Sequence, residues 1–298
     1  MNDRERTGYV HGVAAYILWG LFPLYFSLFQ RSSALEVVAH RIVWSLVFCL
    51  LILALTRRFH QVRNALGDRR CVVLVGVAGL MVGINWCLYV HGVNTGNTLD
   101  AAIGYFINPV VTTALGVVVL GERLRPAQWL AFGLGVASMA VLILGYGRTP
   151  WIALGVATSF GFYGLLKKQA GTTVAPVPGL VIETTALLAL ALPYLFLLGL
   201  TGQASATPFS WYSLLLATTG VVTAVPLLLF ASAAHRIPLV AIGMIQYLAP
   251  LLQFLLAWLL FREPMPVARW VGLMFVWVAV AVFVADAVRH AARNRRLT

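Results

Sequence analysis

Apolar residues fall in ten long runs along the chain, over 8–30, 34–56, 71–93, 98–120, 127–146, 150–167, 179–200, 211–232, 238–261 and 267–288. A helix needs about 20 such residues to cross the hydrocarbon core of a bilayer, and each run is close to that length. The runs are about twice as long as the strands of a membrane barrel and do not alternate, so they predict helices. The expected fold is therefore an all-α polytopic membrane protein with ten transmembrane helices. The first run follows the basic residues Arg4 and Arg6 but is too long for a signal-peptide core and lacks a small-residue cleavage site, so it reads as a retained span.

Composition agrees with the pattern. Hydrophobic residues make up 61% of the 298 positions and charged residues 10%, against about 25% charged in soluble domains. This excludes a soluble enzyme, a nucleic-acid-binding domain and a secreted disulfide scaffold. Cys49, Cys71 and Cys87 are too few and too scattered for a disulfide framework and read as packing residues.

The net charge of +12 changes meaning when it is placed along the chain. With the N-terminus inside, 16 Lys and Arg fall on the inner side and 4 on the outer side, with Arg41 within a span. The positive-inside rule then puts both termini in the cytoplasm, and a bacterial inner membrane is the expected location. Trp129, Trp151, Trp211 and Trp270 lie near span starts, as an interfacial belt requires, while Trp19, Trp44, Trp86, Trp258 and Trp277 lie deeper, as packing or cavity lining.

The two halves resemble each other. A shift of 141 residues places Gly79 on Gly220, Pro109 on Pro250, Glu122 on Glu263 and Trp129 on Trp270, and a shift of 143 places Gly12-Val13-Ala14 on Gly155-Val156-Ala157. Five spans per copy would invert the second copy relative to the first, and inverted repeats are a transporter signature. The expected domains are a first five-helix repeat over 8–146, a second over 150–288 and a basic cytoplasmic tail over 289–298. Pro23, Pro109, Pro193, Pro226 and Pro250 break helical hydrogen bonding within spans, which a bilayer tolerates only beside protein or a watery cavity. Pro109 and Pro250 are the matched pair of helix breaks, with packing kinks as the plainer reading.

Ionisable groups inside the bilayer are costly and point to function. Ser33-x-x-Glu36 reads as a capping box, Asp100 follows Asn97 in a first helical turn, and Asp286 has Arg289 three residues on as an ion-pair partner. His40, Arg41 and Glu183 remain as gating or coupling candidates, against the plainer readings of a satisfied core histidine, a snorkelling arginine and an internal hydrogen bond. Glu183 has no charged neighbour in sequence, and it is a candidate proton-coupling group. The 143 shift maps His40 onto Glu183, so a gate at each end of one pathway is expected rather than an Arg41–Glu183 salt bridge. Between them, Asn85, Trp86, Tyr89, Tyr105, Asn108, Tyr163, Gln246 and Tyr247 are the candidate substrate-binding residues, because aromatic rings with polar tips and side-chain amides suit an organic solute. Packing is the plainer reading of each alone. No nucleotide-binding, serine-hydrolase or zinc-protease motif is present, so no cofactor, metal site or enzymatic activity is expected.

The stretches His40-Arg41-Ile42-Val43-Trp44-Ser45, Asn85-Trp86, Gly104-Tyr105-Phe106-Ile107-Asn108-Pro109, Leu120-Gly121-Glu122-Arg123, Phe162-Tyr163-Gly164-Leu165, Leu180-Val181-Ile182-Glu183-Thr184 and Gln246-Tyr247 resemble the RarD family of the EamA-type branch of the drug/metabolite transporter superfamily. The resemblance runs from about residue 8 to residue 288. It implies a ten-helix inner-membrane permease of two inverted five-helix repeats around a central cavity. Together with the residues, it leads to the expectation of a secondary transporter, an exporter of a small organic metabolite or drug working by alternating access, with proton coupling as an option. A facilitative carrier is the alternative, and a membrane enzyme or scaffold subunit a more distant one. The expected partners are the solute and the lipid bilayer, with no nucleic acid. Solute identity and oligomeric state are not legible.

Overall fold

The computed structural model describes residues 3–94, 98–146, 151–171, 173–207, 209–260 and 267–295, which contain helices and no strand. The helices are α1 (Asp3–Gly20), α2 (Phe22–Phe26), α3 (Ala34–Thr56), α4 (Phe59–Gly67), α5 (Arg69–Asn94), α6 (Thr98–Leu120), α7 (Pro126–Tyr146), α8 (Trp151–Ala170), α9 (Pro176–Leu200), α10 (Trp211–Ala234), α11 (Leu239–Ile245), α12 (Leu248–Leu255) and α13 (Val267–Arg295). Among the described residues, seven helical stretches are long and apolar enough to cross a membrane, and Pro126–Val141 and Trp270–Phe283 are shorter apolar helices.

The predicted runs 34–56 and 98–120 coincide with α3 and α6. Elsewhere the boundaries move. The first helix begins at Asp3 rather than residue 8, because the polar start is itself helical. The basic segment 57–70, which joins the predicted runs 34–56 and 71–93, contains α4. Helix α8 runs on through Lys167 and Lys168, and α13 continues to Arg295, so most of the expected tail is helix.

Local chemistry sets the breaks that matter for the site. Pro23 has no N–H for the carbonyl of Trp19 four residues earlier. The chain breaks at Leu21, and the Gln253 side-chain amide donates to the Trp19 carbonyl at 3.0 Å. Pro250 likewise leaves the Gln246 carbonyl without its usual donor, and Ala249 N–H takes its place at 3.3 Å, where α11 gives way to α12. Both breaks are sealed by protein groups, as an apolar setting demands. Ser33 caps α3, its Oγ accepting the Glu36 N–H at 3.2 Å. The Glu36 carboxylate does not reach back to close a capping box. It accepts the Ser205 backbone N–H at 2.9 Å and ties the α9–α10 connection to α3.

The packing is interleaved. Helix α3 lies on α9 and α10, α1 on α10 and α12, α5 on α8 and α9, α6 on α8 and α11, and α7 on α13. Two crossings need glycine. A Cβ at Gly79 would sit 3.1 Å from the Cα of Glu183, and one at Gly220 would overlap the Trp44 backbone, whose neighbour Ser45 donates to the Gly220 carbonyl at 3.1 Å. The glycines matched by the 141 shift thus meet Glu183 and Trp44. The 143 shift pairs Glu183 with His40 instead, about one helical turn away.

Candidate functional site

A cavity of about 460 Å³ runs from the middle of the bundle to the end where α3 begins. The opposite end holds the start of α1 and the last turns of α8 and α13. The cavity wall takes Tyr16 and Trp19 from α1, Phe22, Pro23 and Phe26 from α2, Val38 and Arg41 from α3, Asn85, Trp86 and Tyr89 from α5, Tyr105 and Asn108 from α6, Phe160 from α8, Gln246 from the α11–α12 break, and Pro250 and Gln253 from α12, with Phe29 and Ser32 at its outer rim.

Arg41 is the charged group of this wall. Its guanidinium carbon lies 4.8 Å from the Trp86 ring centroid and 5.2 Å from that of Phe26, and its Nε donates to Thr223 Oγ1 at 2.9 Å. Trp19 packs edge-on against Phe160 with ring centroids 5.6 Å apart, and Tyr89 and Tyr105 stand 5.8 Å apart. Asn108 and Gln246 form a buried amide pair: Gln246 Nε2 donates to Asn108 Oδ1 at 2.5 Å, and Thr112 Oγ1 donates to the same oxygen at 3.0 Å. This leaves Asn108 Nδ2 and Gln246 Oε1 buried without a partner, along with the Tyr16 hydroxyl. Asn85 faces the cavity, but its amide donates to the Val156 carbonyl at 2.8 Å and to Ser159 at 3.2 Å and so belongs to the α5–α8 contact.

The structure does not bring all the sequence-predicted residues to this wall. Tyr163, Tyr247, His40, Glu183 and Pro109 lie elsewhere. Tyr247 is buried with its hydroxyl against Gly135. His40 turns away from the cavity, and its Nδ1 is buried without a partner. Successive helical residues point about 100° apart, so with Val38 and Arg41 on the wall His40 is turned to the side of it. Pro109 packs at the α6–α11 crossing, its carbonyl 3.0 Å from where a Cβ at Gly243 would sit.

Glu183 has a charged partner that the sequence pattern places at the end of the run 150–167, among the inner-side charges. Lys167 is buried in the last turn of α8 and donates to Glu183 Oε1 at 2.6 Å, with both side chains at most 3% exposed. The Tyr163 hydroxyl donates to Glu183 Oε2 at 3.3 Å, and its ring stacks on Phe230 at 5.6 Å. This cluster lies at the end of the bundle opposite the cavity mouth. There Gly121, with φ of +66°, turns the chain after α6, and Glu122 accepts the backbone N–H groups of Leu239 and Val240, each at 2.8 Å, capping α11. Asp286 pairs with Arg125 at 2.5 Å, not with Arg289, because α7 packs beside α13. The side chain of Asp100 lies outside the described residues, as do Asn97 and Glu263.

Sequence reading missed Tyr16, Phe22, Phe26, Phe160 and Gln253 as lining residues. The break signalled by Pro23 could have drawn attention to its neighbours.

A bundle of apolar helices with an aromatic, amide-bearing hollow at its centre defines a multi-pass membrane protein of transporter type. The chain belongs to the EamA-like transporter family, whose pattern matches residues 6–144 and 149–285. It is 45% identical to "Protein RarD" of Streptomyces exfoliatus over 99% of this chain and 93% of that protein. It is 42% identical to an uncharacterized transporter of Pseudomonas aeruginosa over 97% and 96% of the two chains, and 39% identical to "Protein RarD" of Escherichia coli K12 over 96% of each. A solved crystal structure at 19% identity shares the fold with a TM-score of 0.70, over 95% of this chain and 98% of its own.

Proposed function

We propose that this chain is a secondary transporter that exports a small organic metabolite or drug by alternating access. Two inverted five-helix repeats, over 8–146 and 150–288, move against each other around the central cavity. The ten spans cross a bacterial inner membrane, with both termini and the basic stretch from residue 289 in the cytoplasm. The observation that carries this reading is the polarity of the pathway. The cavity extends to one end of the bundle, and the buried Lys167–Glu183 pair lies at the other. With the cytoplasmic end closed, the conformation is the one from which an exporter releases its solute.

The packing supports the repeat. Exchanging the first five spans for the last five turns the α1–α10 contact into α8–α5, the α3–α10 contact into α9–α5 and the α6–α8 contact into one between α1 and α11–α12. Each partner contact exists, and the family pattern matches once in each half.

In this reading Glu183 couples transport to protons. Protonation removes its attraction for Lys167 and unlocks the cytoplasmic end, while Arg41 stands at the cavity wall and His40 in the α3 packing beside it. The test is solute-driven proton movement into dye-loaded proteoliposomes, with solutes taken from a thermal-shift panel of metabolites and antibiotics. Glu183→Gln is expected to abolish proton movement while solute counterflow persists. Unchanged proton movement removes the coupling role. An uncoupled, facilitative carrier is the second reading. It is favoured by the fact that the Lys167–Glu183 pair is neutral as a unit and needs no proton to be stable. That reading requires counterflow with no proton movement in the unaltered protein.

A further inference from the structure

We infer that the cavity takes its solute as an organic anion, held through a carboxylate or a comparably compact anionic group on Arg41. The inference rests on the cavity being the solute site. Its basis is a charge imbalance. No Asp, Glu, Lys or His is among the residues lining the cavity, so Arg41 stands there as a lone cation. Among the described residues, no carboxylate comes within ion-pair distance of it. The nearest acid along α3, Glu36, is engaged by the Ser205 backbone. Glu183 is engaged by Lys167.

Arg41 is partly buried, and a cation withdrawn from water without a counter-ion is unfavourable. The faces of Trp86 and Phe26 offset part of this, and the Thr223 hydroxyl accepts from Nε alone. A guanidinium carries five N–H donors in a planar fork, so four remain, on the two terminal nitrogens whose spacing matches a carboxylate. A bound anion supplies the missing charge and accepts those donors together.

The rest of the wall describes the rest of the solute. Trp19, Trp86 and Phe160 offer faces and edges to an apolar or aromatic body. The Asn108 and Gln246 amides set polar surface in the wall beside that body. An organic cation would suit the aromatic rings but would face Arg41 with no acid to screen it. A zwitterion would satisfy Arg41 and leave its ammonium without a carboxylate.

Four probes that share a phenyl body separate these cases: phenylacetate, phenylacetamide, phenethylamine and phenylalanine. Each is titrated into the purified full-length protein in detergent near neutral pH, with thermal stabilisation and calorimetric affinity as readouts. The expected order puts phenylacetate first, with an affinity at least about tenfold above phenylacetamide, phenylalanine weaker than phenylacetate, and no response to phenethylamine. Arg41→Gln is expected to remove the preference for the carboxylate, and Arg41→Lys to retain its sign. Equal or tighter binding of the amide or the amine overturns the inference. So does a carboxylate preference that survives Arg41→Gln, or no response to phenylacetate, benzoate or butyrate up to their solubility limits. The order in the unaltered protein decides the charge even if Arg41→Gln does not fold. Binding is measured without a membrane gradient. Anion binding without vesicle flux would therefore count against the transport reading alone, and flux of neutral or cationic solutes without anion binding against this inference alone.

Discussion

The two ends of the bundle are held by different chemistry. At the cavity mouth the links are mostly neutral: Ser32 meets Ser205 at 2.5 Å and Tyr212 at 2.9 Å, Tyr25 meets Thr218 at 2.6 Å, and Ser33 meets Tyr194 at 3.3 Å. Hydroxyl pairs of this kind exchange for water at little net cost, because each is replaced by an equivalent bond. At the opposite end the links are charged, one buried and the others partly buried: Lys167 with Glu183, then Arg125 with Asp286, the Glu122 carboxylate on two α11 amides, and the Lys168 ammonium on the Ile237 carbonyl. Charged groups in low dielectric hold their partners firmly and are costly to separate. One end is thus held by contacts that water can replace, and the other by contacts that are costly to separate.

The sharpest way to break this contrast is to remove Lys167. Lys167→Met leaves the Glu183 carboxylate buried with only the Tyr163 hydroxyl as a partner, and orphaning one member of a buried pair costs about 3–5 kcal/mol. The melting temperature in detergent should fall steeply. The double variant Lys167→Met/Glu183→Leu, which removes both charges, should recover most of the loss. If the single variant melts like the unaltered protein, the pair does not hold this end closed.

The Lys167–Glu183 pair also marks the limit of what the sequence discloses. Spans are legible because apolar length and polar flanks define them, and α3 and α6 were placed at their observed limits for that reason. Faces are not legible, because helices apolar on every side carry no periodic signal of what they pack against. Tyr163 and Tyr247 therefore read like Tyr16 and Trp19, although only the latter two line the cavity. Lys167 counts as an inner-side charge because it ends an apolar run, and nothing in a linear chain reveals that α9 brings Glu183 beside it. Asp286 fails the same way: Arg289 is closer in sequence, and Arg125 is closer in space.

A milder test concerns Glu122. Replacing it by Gln removes the charge at the start of α11 and leaves one acceptor for the two N–H groups of Leu239 and Val240. The expected loss is about 1–2 kcal/mol. The counterpart at the mouth, Ser32→Ala, removes only neutral hydroxyl contacts and should cost less than about 1 kcal/mol. Thermal melting of the two variants side by side sharpens the comparison. An equal or greater loss for Ser32→Ala would mean that the mouth is held as firmly as the closed end.

The smallest effect, near neutral pH, is a dependence on pH at the charged end. His235 follows α10, outside the spans, and lies among cations. Burial first, and then the charges of Lys167, Arg236, Lys168 and Arg4, push its imidazole down to about 4. An unfolded chain holds the same group near 6.5. Between these values the unfolded state binds the proton and the folded state does not, so stability rises with pH across this window. The neutral fold keeps its full stability above about 6.5, loses it progressively as the pH falls and reaches a plateau below about 4. Between pH 7.5 and 6.0 the change is less than about 1 kcal/mol, because the unfolded state has only begun to protonate. The difference in melting temperature between the unaltered protein and His235→Asn isolates it from other titrating groups. That difference should shift steadily against the unaltered protein as the pH is lowered. Parallel melting curves across the window would show that the cations gathered at this end leave His235 free to take up its proton in the fold.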